Sequence, residues 1–275
     1  MVPLPVIHLA TLCSGAQRFH ADNATETWKG PIQTEQGQRV AFVKVLPDNQ
    51  LISEAACALL ARALCLDVPI PYLVQVNRDQ LKASKKWAKD EAQKICFGSE
   101  ELVHPSLVRV LVPKRNGKPL PVHPDVKKKI WEKIRACEGF QETAIFDEWV
   151  ANGDRHDGNL LWDGKKFYLI DHSHALTGGK WKPSTLKVDA VVPNKLLDSI
   201  AKGLSWEERE QWSQKAEIQR FRYQDLAIST LPDMAKMEIY DQSGLGTHAV
   251  NFFEKRINKL LQLICSRLGL GVLPI

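Results

Sequence analysis

Asp154, Asn159 and Asp171 have the residue types and the spacing that moving a phosphoryl group requires. The first two stand in a polar loop, Asn-Gly-Asp-Arg-His-Asp-Gly-Asn at 152–159, which follows a helical run ending at Ala151. Apolar runs at 160–162 and 167–170 flank Asp163-Gly164, and Asp-Gly between such runs predicts a β-hairpin. Asp154 and Asn159 then sit on the loop entering the hairpin and Asp171 at the end of its second strand, so the three side chains converge. One carboxylate can orient an attacking hydroxyl, while an amide and a second carboxylate hold Mg²⁺ against nucleotide phosphates. Mg²⁺ is a hard ion that takes a few oxygen ligands and keeps its waters, which suits this set.

Such a site also needs a cation for the phosphates. The run 39–46, Arg-Val-Ala-Phe-Val-Lys-Val-Leu, reads as a strand with Val40, Phe42 and Leu46 on one alternating set, and Lys44 interrupts it. A lysine buried there without a partner is costly. Glu54 follows in the first turn of an Ala/Leu-rich helix at 51–64, after a Pro47-Asp48-Asn49 turn that offers an N-cap. By itself Glu54 complements the helix dipole; with Lys44 and the loop it reads as the lysine's partner.

The string Gly-Asp-Arg-His-Asp-Gly-Asn at 153–159 followed by Leu-Ile-Asp-His at 169–172 resembles the catalytic core of the HipA-like kinases, and also that of the phosphoinositide kinases. The Leu-Ala-x-x-Leu-x-Leu-x-Val-Pro-x-Pro segment ending at Pro71 resembles the HipA-like pattern too, with Cys65 where Gly is common. The resemblance implies an α+β, bilobal protein-kinase-like fold: a small antiparallel-sheet N-lobe with one main helix at 1–98 and a mostly helical C-lobe at 99–275. It implies ATP and Mg²⁺ as cofactors, Asp154 as catalytic carboxylate, Asn159 and Asp171 as metal ligands, and Lys44 held by Glu54 on the phosphates. Arg155 and His156 organise the loop. Gly15 marks the phosphate-covering loop between the first two strands, where Ser14 is a candidate regulatory phosphorylation site, and backbone around Cys96, Phe97 and Gly98 meets the adenine. The expected acceptor is a protein Ser or Thr hydroxyl. The expected setting is cytoplasmic, toxin-type regulation with autophosphorylation and a separate antitoxin or regulatory partner. A lipid kinase and a nucleotide-binding pseudokinase module remain alternatives. His172-Ser173 replaces the Phe-Gly of the phosphoinositide-kinase pattern, and His174 matches its His.

The remaining elements serve this site. Residues 4–12 and 72–76 read as strands, with a further strand opening at 28–30. Residues 77–94 read as a charged helical insertion. Pro124 opens a helix with Val126, Ile130, Ile134 and Cys137 on its buried stripe, and a second helix at 141–150 leads into the loop. Residues 177–192, which contain Gly, Lys and Pro, resemble an activation or substrate segment of such kinases, and Pro193 starts a helix. Ser205-x-x-Glu208 is a capping box. A final helix at 247–268 carries Val250, Phe253, Ile257, Leu260, Ile264 and Leu268 inward, with Lys255, Arg256, Lys259 and Arg267 outside.

The 275 residues can bury a sizeable core, and the net charge of +5 is mild. Lysine clusters at 82–89 and 127–129 read as solvated helix faces, without a nucleic-acid-binding motif. The apolar N-terminus is too short for a membrane span. Six scattered cysteines with no Cys-x-x-Cys fit a reducing compartment, with Cys57 and Cys65 read as buried thiols. A zinc hydrolase using His156, Asp171, His172 and His174 is the competing chemistry, since His-x-His on a strand puts both rings on one face.

Overall fold

The computed structural model describes residues 1–19, 26–81, 84, 87, 91–112, 114–115, 118–119 and 121–271. Six strands form one sheet: β1 (His8–Leu12), β2 (Gln17–Arg18), β3 (Thr27–Thr34), β4 (Gly37–Lys44), β5 (Pro71–Asn77) and β6 (Gln93–Glu100). The order is β1-β5-β6-β4-β3-β2, and β1 also pairs with β3, so the sheet closes on itself. This departs from the expected antiparallel sheet, because β1 runs parallel to β5, with His8 opposite Tyr72. The long chain between them, including three strands and a helix, supplies the crossover that a parallel pair requires.

The closed sheet has its own core, in which Leu12, Ile32, Ala41, Val43, Val74, Val76 and Cys96 meet. The deepest positions of β4 are thus Ala41 and Val43, opposite in phase to the expected Val40 and Phe42, and Val40 is exposed. Period-two alternation then sends Phe42 and Lys44 to the other face. Burial lifts the Cys96 thiol to about 12.

That other face receives α1 (Asp48–Ala63), in which every residue from Leu51 to Ala61 is buried, Ser53 and Glu54 included. Small alanines let the sheet and the helical part approach it from both sides. Pro47 is the N-cap and makes no side-chain bond; Asn49 uses its amide elsewhere, as described below. The helix stops at Ala63, and Cys65, with φ 60°, turns the chain. Cys57 is buried as expected, but Cys65 is exposed because it lies past the helix end.

The rest is mainly helical: α2 (Leu107–Leu111), α3 (Pro124–Arg135), α4 (Phe140–Trp149), α5 (Lys195–Asp198), α6 (Trp206–Gln224), α7 (Leu231–Met234), α8 (Leu245–Ile257) and α9 (Leu260–Leu268). Two small hairpins interrupt it, β7 (Lys114–Arg115) with β8 (Lys118–Pro119), and β9 (Leu160–Trp162) with β10 (Phe167–Leu169). Trp149 anchors the helical core, stacked on Tyr223 at 4.5 Å and donating its indole N–H to Phe253 O at 3.0 Å. Pro124 stands at the first turn of α3, and the Ser205–Glu208 capping box forms in both directions. Residues 2–7 belong to this part rather than to β1: the Val2 N–H bonds Asp225 O, the Ile7 N–H bonds Met234 O, and Leu4 and Ile7 are buried.

Two further expectations change. The single terminal helix is two, α8 and α9, and Arg256, expected outside, is fully buried. Within 77–94, Arg78–Leu81 is a 3-10 turn and Gln93 already begins β6; between them only Ser84, Trp87, Glu91 and Ala92 lie within the described residues, so the lysines at 82–89 and most of the expected helix fall outside them.

Candidate active site

The hairpin sets the site. β9 and β10 pair with Leu160 opposite Leu169, and Asp163 closes the turn by accepting the Lys165 and Lys166 N–H groups at 2.8 and 2.9 Å. Beyond the ladder, Ile170 N–H bonds Asn159 O at 3.1 Å, which brings Asn159 beside Asp171. The preceding loop is held by Arg155, wholly buried. Its guanidinium grips both oxygens of Asp147 on α4, at 3.0 and 3.1 Å, and donates to Ile170 O at 2.6 Å. One side chain therefore ties helix, loop and strand end, as the sequence suggested. His156 accepts the Gly158 N–H at 3.0 Å; a Cβ at Gly158 would lie 2.8 Å from that ring, which is why the position needs glycine.

Asn159 donates its amide to Asp154 O at 3.0 Å, leaving its amide oxygen for another partner. Asp171 has φ 60°, a left-handed conformation that costs a non-glycine residue energy and that clusters at functional sites. Its Oδ1 accepts from Ser173 Oγ at 2.7 Å and lies 3.2 Å from Lys44 Nζ. Lys44 Nζ also reaches Glu54 Oε1 at 2.6 Å, and Glu54 Oε2 accepts the backbone N–H of His172 at 2.9 Å. Glu54 thus joins the strand lysine to the chain just after Asp171. Burial alone would lower the Lys44 pKa, but the carboxylates of Asp171 and Glu54 outweigh it and hold the ammonium above its ordinary value. Burial would likewise raise Asp171; Lys44 and the Ser173 hydroxyl overcome it and keep the carboxyl well below the usual range. Both groups are charged at neutral pH.

Asp154 carries two contacts that the sequence reading did not find. Lys195, at the start of α5, reaches its Oδ1 at 2.7 Å, and His174 Nδ1 lies 3.5 Å from its Oδ2. No spacing rule points to Lys195, since it arrives from 41 residues downstream. It is placed by its neighbour: Asn194 caps α5, and its amide donates to Ala144 O at 2.8 Å and Glu148 Oε2 at 3.1 Å.

Other expected site residues fall differently. Gly15, with Ser14, occupies a bulge between β1 and β2, where a Cβ at the facing Gly30 would lie 2.7 Å from Ala16 Cβ. The end of the sheet level with Lys44 is instead the β2–β3 connection, since Thr27 pairs with Lys44 and Phe19 N–H bonds Thr27 O at 2.9 Å. Residues 20–25 of that connection lie outside the described residues. Phe97 pairs directly with Lys44 but is buried, and Gly98 is packed so closely that a Cβ would lie 2.5 Å from Val74. β6 is flanked by β4 and β5 at Phe97 and Gly98, so their backbone groups are committed to ladders rather than free for a base, while Cys96 is paired with Val74 of β5 alone. The chain leaves the ladder after Glu101 N–H bonds Val40 O at 2.8 Å.

The two histidines proposed for zinc do not share a face, because 172–174 is not strand. His172 is buried beside Phe146 and Glu54, and burial lowers its pKa; His174 is exposed at Asp154. Among the described residues no three His, Cys, Asp or Glu side chains gather as a metal cluster. The donors that do adjoin, a carboxylate and an amide oxygen, are hard and few, which fits Mg²⁺ rather than zinc. Among the described residues no helix is long and apolar enough to cross a membrane.

Solved structures similar to the chain include the Helicobacter pylori proinflammatory kinase CtkA, with TM-score 0.47, 13% identity, and coverage of 96% of this chain and 99% of that one. Spectinomycin phosphotransferase APH(9)-Ia, solved with ADP and spectinomycin, gives TM-score 0.29, 11% identity and coverage of 95% and 93%. No curated protein matches the sequence. The HipA-like kinase family matches residues 33–264, most of the chain and all of the groups assembled above except the β1–β2 bulge, and the protein belongs to that family of phosphotransferases.

Proposed function

We propose that the protein transfers the γ-phosphate of ATP to a Ser or Thr hydroxyl of another protein. The observation that carries this reading is the Lys44–Glu54–Asp171 cluster, in which Glu54 bonds both the strand lysine and the backbone after Asp171. In this reading Lys44 neutralises the nucleotide phosphates, and Glu54 fixes Lys44. Asp154 orients the acceptor hydroxyl and takes its proton as the bond to phosphorus forms. Lys195 steers the Asp154 carboxylate and adds positive charge where the phosphoryl group arrives. Asn159 and Asp171 hold Mg²⁺, which when bound offsets charge on the phosphates. The adenine edge meets backbone at 102–103, beyond the last ladder bond at Glu101.

In this reading the two functional lobes are 1–98 and 99–275, with Val2 and Ile7 bonded to the helical side. Family membership suggests the setting: a cytoplasmic regulator of toxin type, able to phosphorylate itself, with a separate antitoxin or other regulatory partner.

The test is a thermal-shift titration with ATP and Mg²⁺, followed by transfer of labelled γ-phosphate to cell-extract proteins and to the protein itself. Binding together with labelled phosphoserine or phosphothreonine is expected. Asp154→Ala should keep binding and lose transfer on the order of 10²–10⁴-fold, the range for a positioned base. Labelled lipid in place of labelled protein would sink the acceptor assignment, and binding without any transfer would sink the enzyme.

A further inference from the structure

The segment after Asp171 is a fixed part of the site rather than a loose loop. The Trp181 indole N–H donates to Asn49 O at 3.0 Å and to Ser53 Oγ at 2.9 Å, and Trp181 is buried. Asn49 returns its amide to Gly179 O at 3.1 Å and Trp181 O at 3.3 Å, and Gln50 donates to Gly179 O at 2.8 Å. At its other end the segment is held by Asn194 and brings Lys195 onto Asp154. Contact with the catalytic carboxylate is continuous: His174 lies 3.5 Å from Asp154, and a Cβ on Gly179 would lie 2.8 Å from the His174 ring. Pro193 lies against Gly153, 3.6 Å from where a Cβ would stand.

The charges on this fixed segment are one-sided. Lys180, Lys182, Lys187 and Lys202 are exposed, and none makes an ion pair among the described residues. The two aspartates in the same stretch do not offset them. Asp198 is held by Arg267 at 2.9 Å, and the exposed Asp189 is one carboxylate against four lysines. Val191 is the one large apolar side chain that the segment exposes, at 72%, and its tryptophan faces inward. A surface of spaced lysines without exposed aromatics lacks the apolar anchor that an interfacial membrane contact uses. It suits an extended polypeptide whose carboxylates meet the lysines in turn.

We propose that the segment at 178–191 is the acceptor-docking surface, and that its partner is an acidic protein segment, a Ser or Thr flanked by Asp and Glu. This rests on the phosphotransfer reading for Asp154 and names the substrate class of the same site. Fixed positive charge beside the site raises the encounter rate and disfavours basic partners, and the effect fades with salt.

The test separates docking from transfer. Anisotropy with the full-length chain measures binding of a labelled Ser/Thr peptide flanked by Asp/Glu and of its Lys/Arg-flanked counterpart, at low and high salt. Labelled ATP measures transfer to the same two peptides. The acidic peptide should bind about tenfold tighter at low salt and lose most of that margin at high salt. The Lys180→Glu/Lys182→Glu/Lys187→Glu variant should reverse the preference while the ATP-induced thermal shift stays that of wild type, since these side chains touch no group at Lys44, Glu54 or Asp171. Equal binding of the two peptides, a preference that survives in the triple variant, or tighter binding to phosphatidylserine vesicles than to the acidic peptide would overturn the docking surface. Transfer without charge preference would overturn the surface and leave the kinase reading standing; acidic-selective binding with no transfer to any acceptor would do the reverse.

Discussion

Lys44, Glu54 and Asp171 form a charge cluster that opens to the cleft, with side-chain exposures of 12, 1 and 31%. Glu148, Arg256 and Arg267 form a second one that is closed, with exposures of 0, 0 and 10%. Arg267 Nε meets Glu148 Oε2 at 2.6 Å and Arg256 Nη2 stands 3.5 Å from Glu148 Oε1. Arg256 Nε and Nη1 and Arg267 Nη2 reach backbone oxygens of Glu148, Val188 and Val192, and Arg267 Nη1 reaches Asp198 Oδ1 at 2.9 Å. Burial pulls the Arg256 pKa down to about 10, against the pull of Glu148. In the open cluster the opposing charges hold Lys44 above its ordinary value; in the closed one desolvation wins. The closed cluster joins α4, α8 and α9 to the segment that delivers Lys195, and Glu148 Oε1 and Arg256 Nη2 face each other inside it as an ion pair without a hydrogen bond. The open cluster keeps Asp171 partly exposed while its Oδ1 meets Lys44 and Ser173.

Breaking the closed cluster should give the largest effect on stability. Glu148→Gln keeps the shape but leaves the buried Arg256 guanidinium without its carboxylate and Arg267 with Asp198 alone, and removing one partner of a buried pair costs about 3–5 kcal/mol. Urea unfolding should show that loss. Adding Arg256→Met to Glu148→Gln should recover part of it, because a buried ion pair replaced by apolar volume is often close to neutral. A double variant less stable than Glu148→Gln alone would mean that the backbone bonds of Arg256, not its charge pairing, hold the helices.

The open cluster should behave in the opposite way. Asp171→Asn retains an acceptor for Ser173 and removes the charge facing Lys44. Transfer should fall on the order of 10²–10³-fold, the range for losing one electrostatic contact to the reacting group. Stability at neutral pH should change by only about 1 kcal/mol, because the side chain is partly exposed. The pH dependence has a defined sign. Asp171 is depressed in the folded state, so its contribution is full above the unfolded carboxylate value near 3.9 and is lost as pH falls below it. Lys44 is raised, so its contribution is full below about 10.4 and is lost above. Wild type should therefore lose stability more steeply than Asp171→Asn below about pH 4, with parallel curves between about pH 5 and 9. Parallel curves at acid pH as well would show that the ion pair does not form in solution.

The same contrast explains what was legible in the sequence. The open cluster was readable because its members recur in a fixed order on signalled elements: a lysine interrupting an apolar strand, a glutamate in a first helical turn, and polar loop residues ahead of an Asp-Gly hairpin. Arg256 was misread because helical periodicity assigns a face by residue type, and a long charged side chain defaults to solvent until a partner from elsewhere is known. Glu148 lies 108 residues away from it. Lys195 escaped for the same reason, as did the parallel pairing of β1 with β5, which depends on where the chain returns rather than on local pattern. Phe97 and Gly98 were placed in the right strand but at the wrong position along it: an apolar run marks a strand but not which residues both neighbours cover. The left-handed turn at 171 had no local signal either, since aspartate tolerates that conformation without advertising it.

The smallest expected effect comes from a second residue with the same backbone angle. Cys65 has φ 60°, as Asp171 does, but it ends α1 at the surface, eleven residues after Glu54, and touches nothing at the cleft. At Asp171 the left-handed backbone aims a carboxylate at Lys44. At Cys65 it only turns the chain, with Cys65 N–H on Arg62 O at 3.0 Å and Leu66 N–H on Ala61 O at 2.9 Å, work that glycine does without strain. Cys65→Gly removes about 1–2 kcal/mol of left-handed strain against about 0.5–1 kcal/mol of extra chain entropy. The net should be a gain of about 0.5–1 kcal/mol in urea unfolding, with phosphate transfer unchanged. Glycine at 171, by contrast, should relieve the same strain and abolish transfer. If Cys65→Gly lowered transfer at unchanged nucleotide binding, the far end of α1 would be coupled to Glu54, and the separation between groups that hold the fold and groups that face the cleft would not extend along that helix.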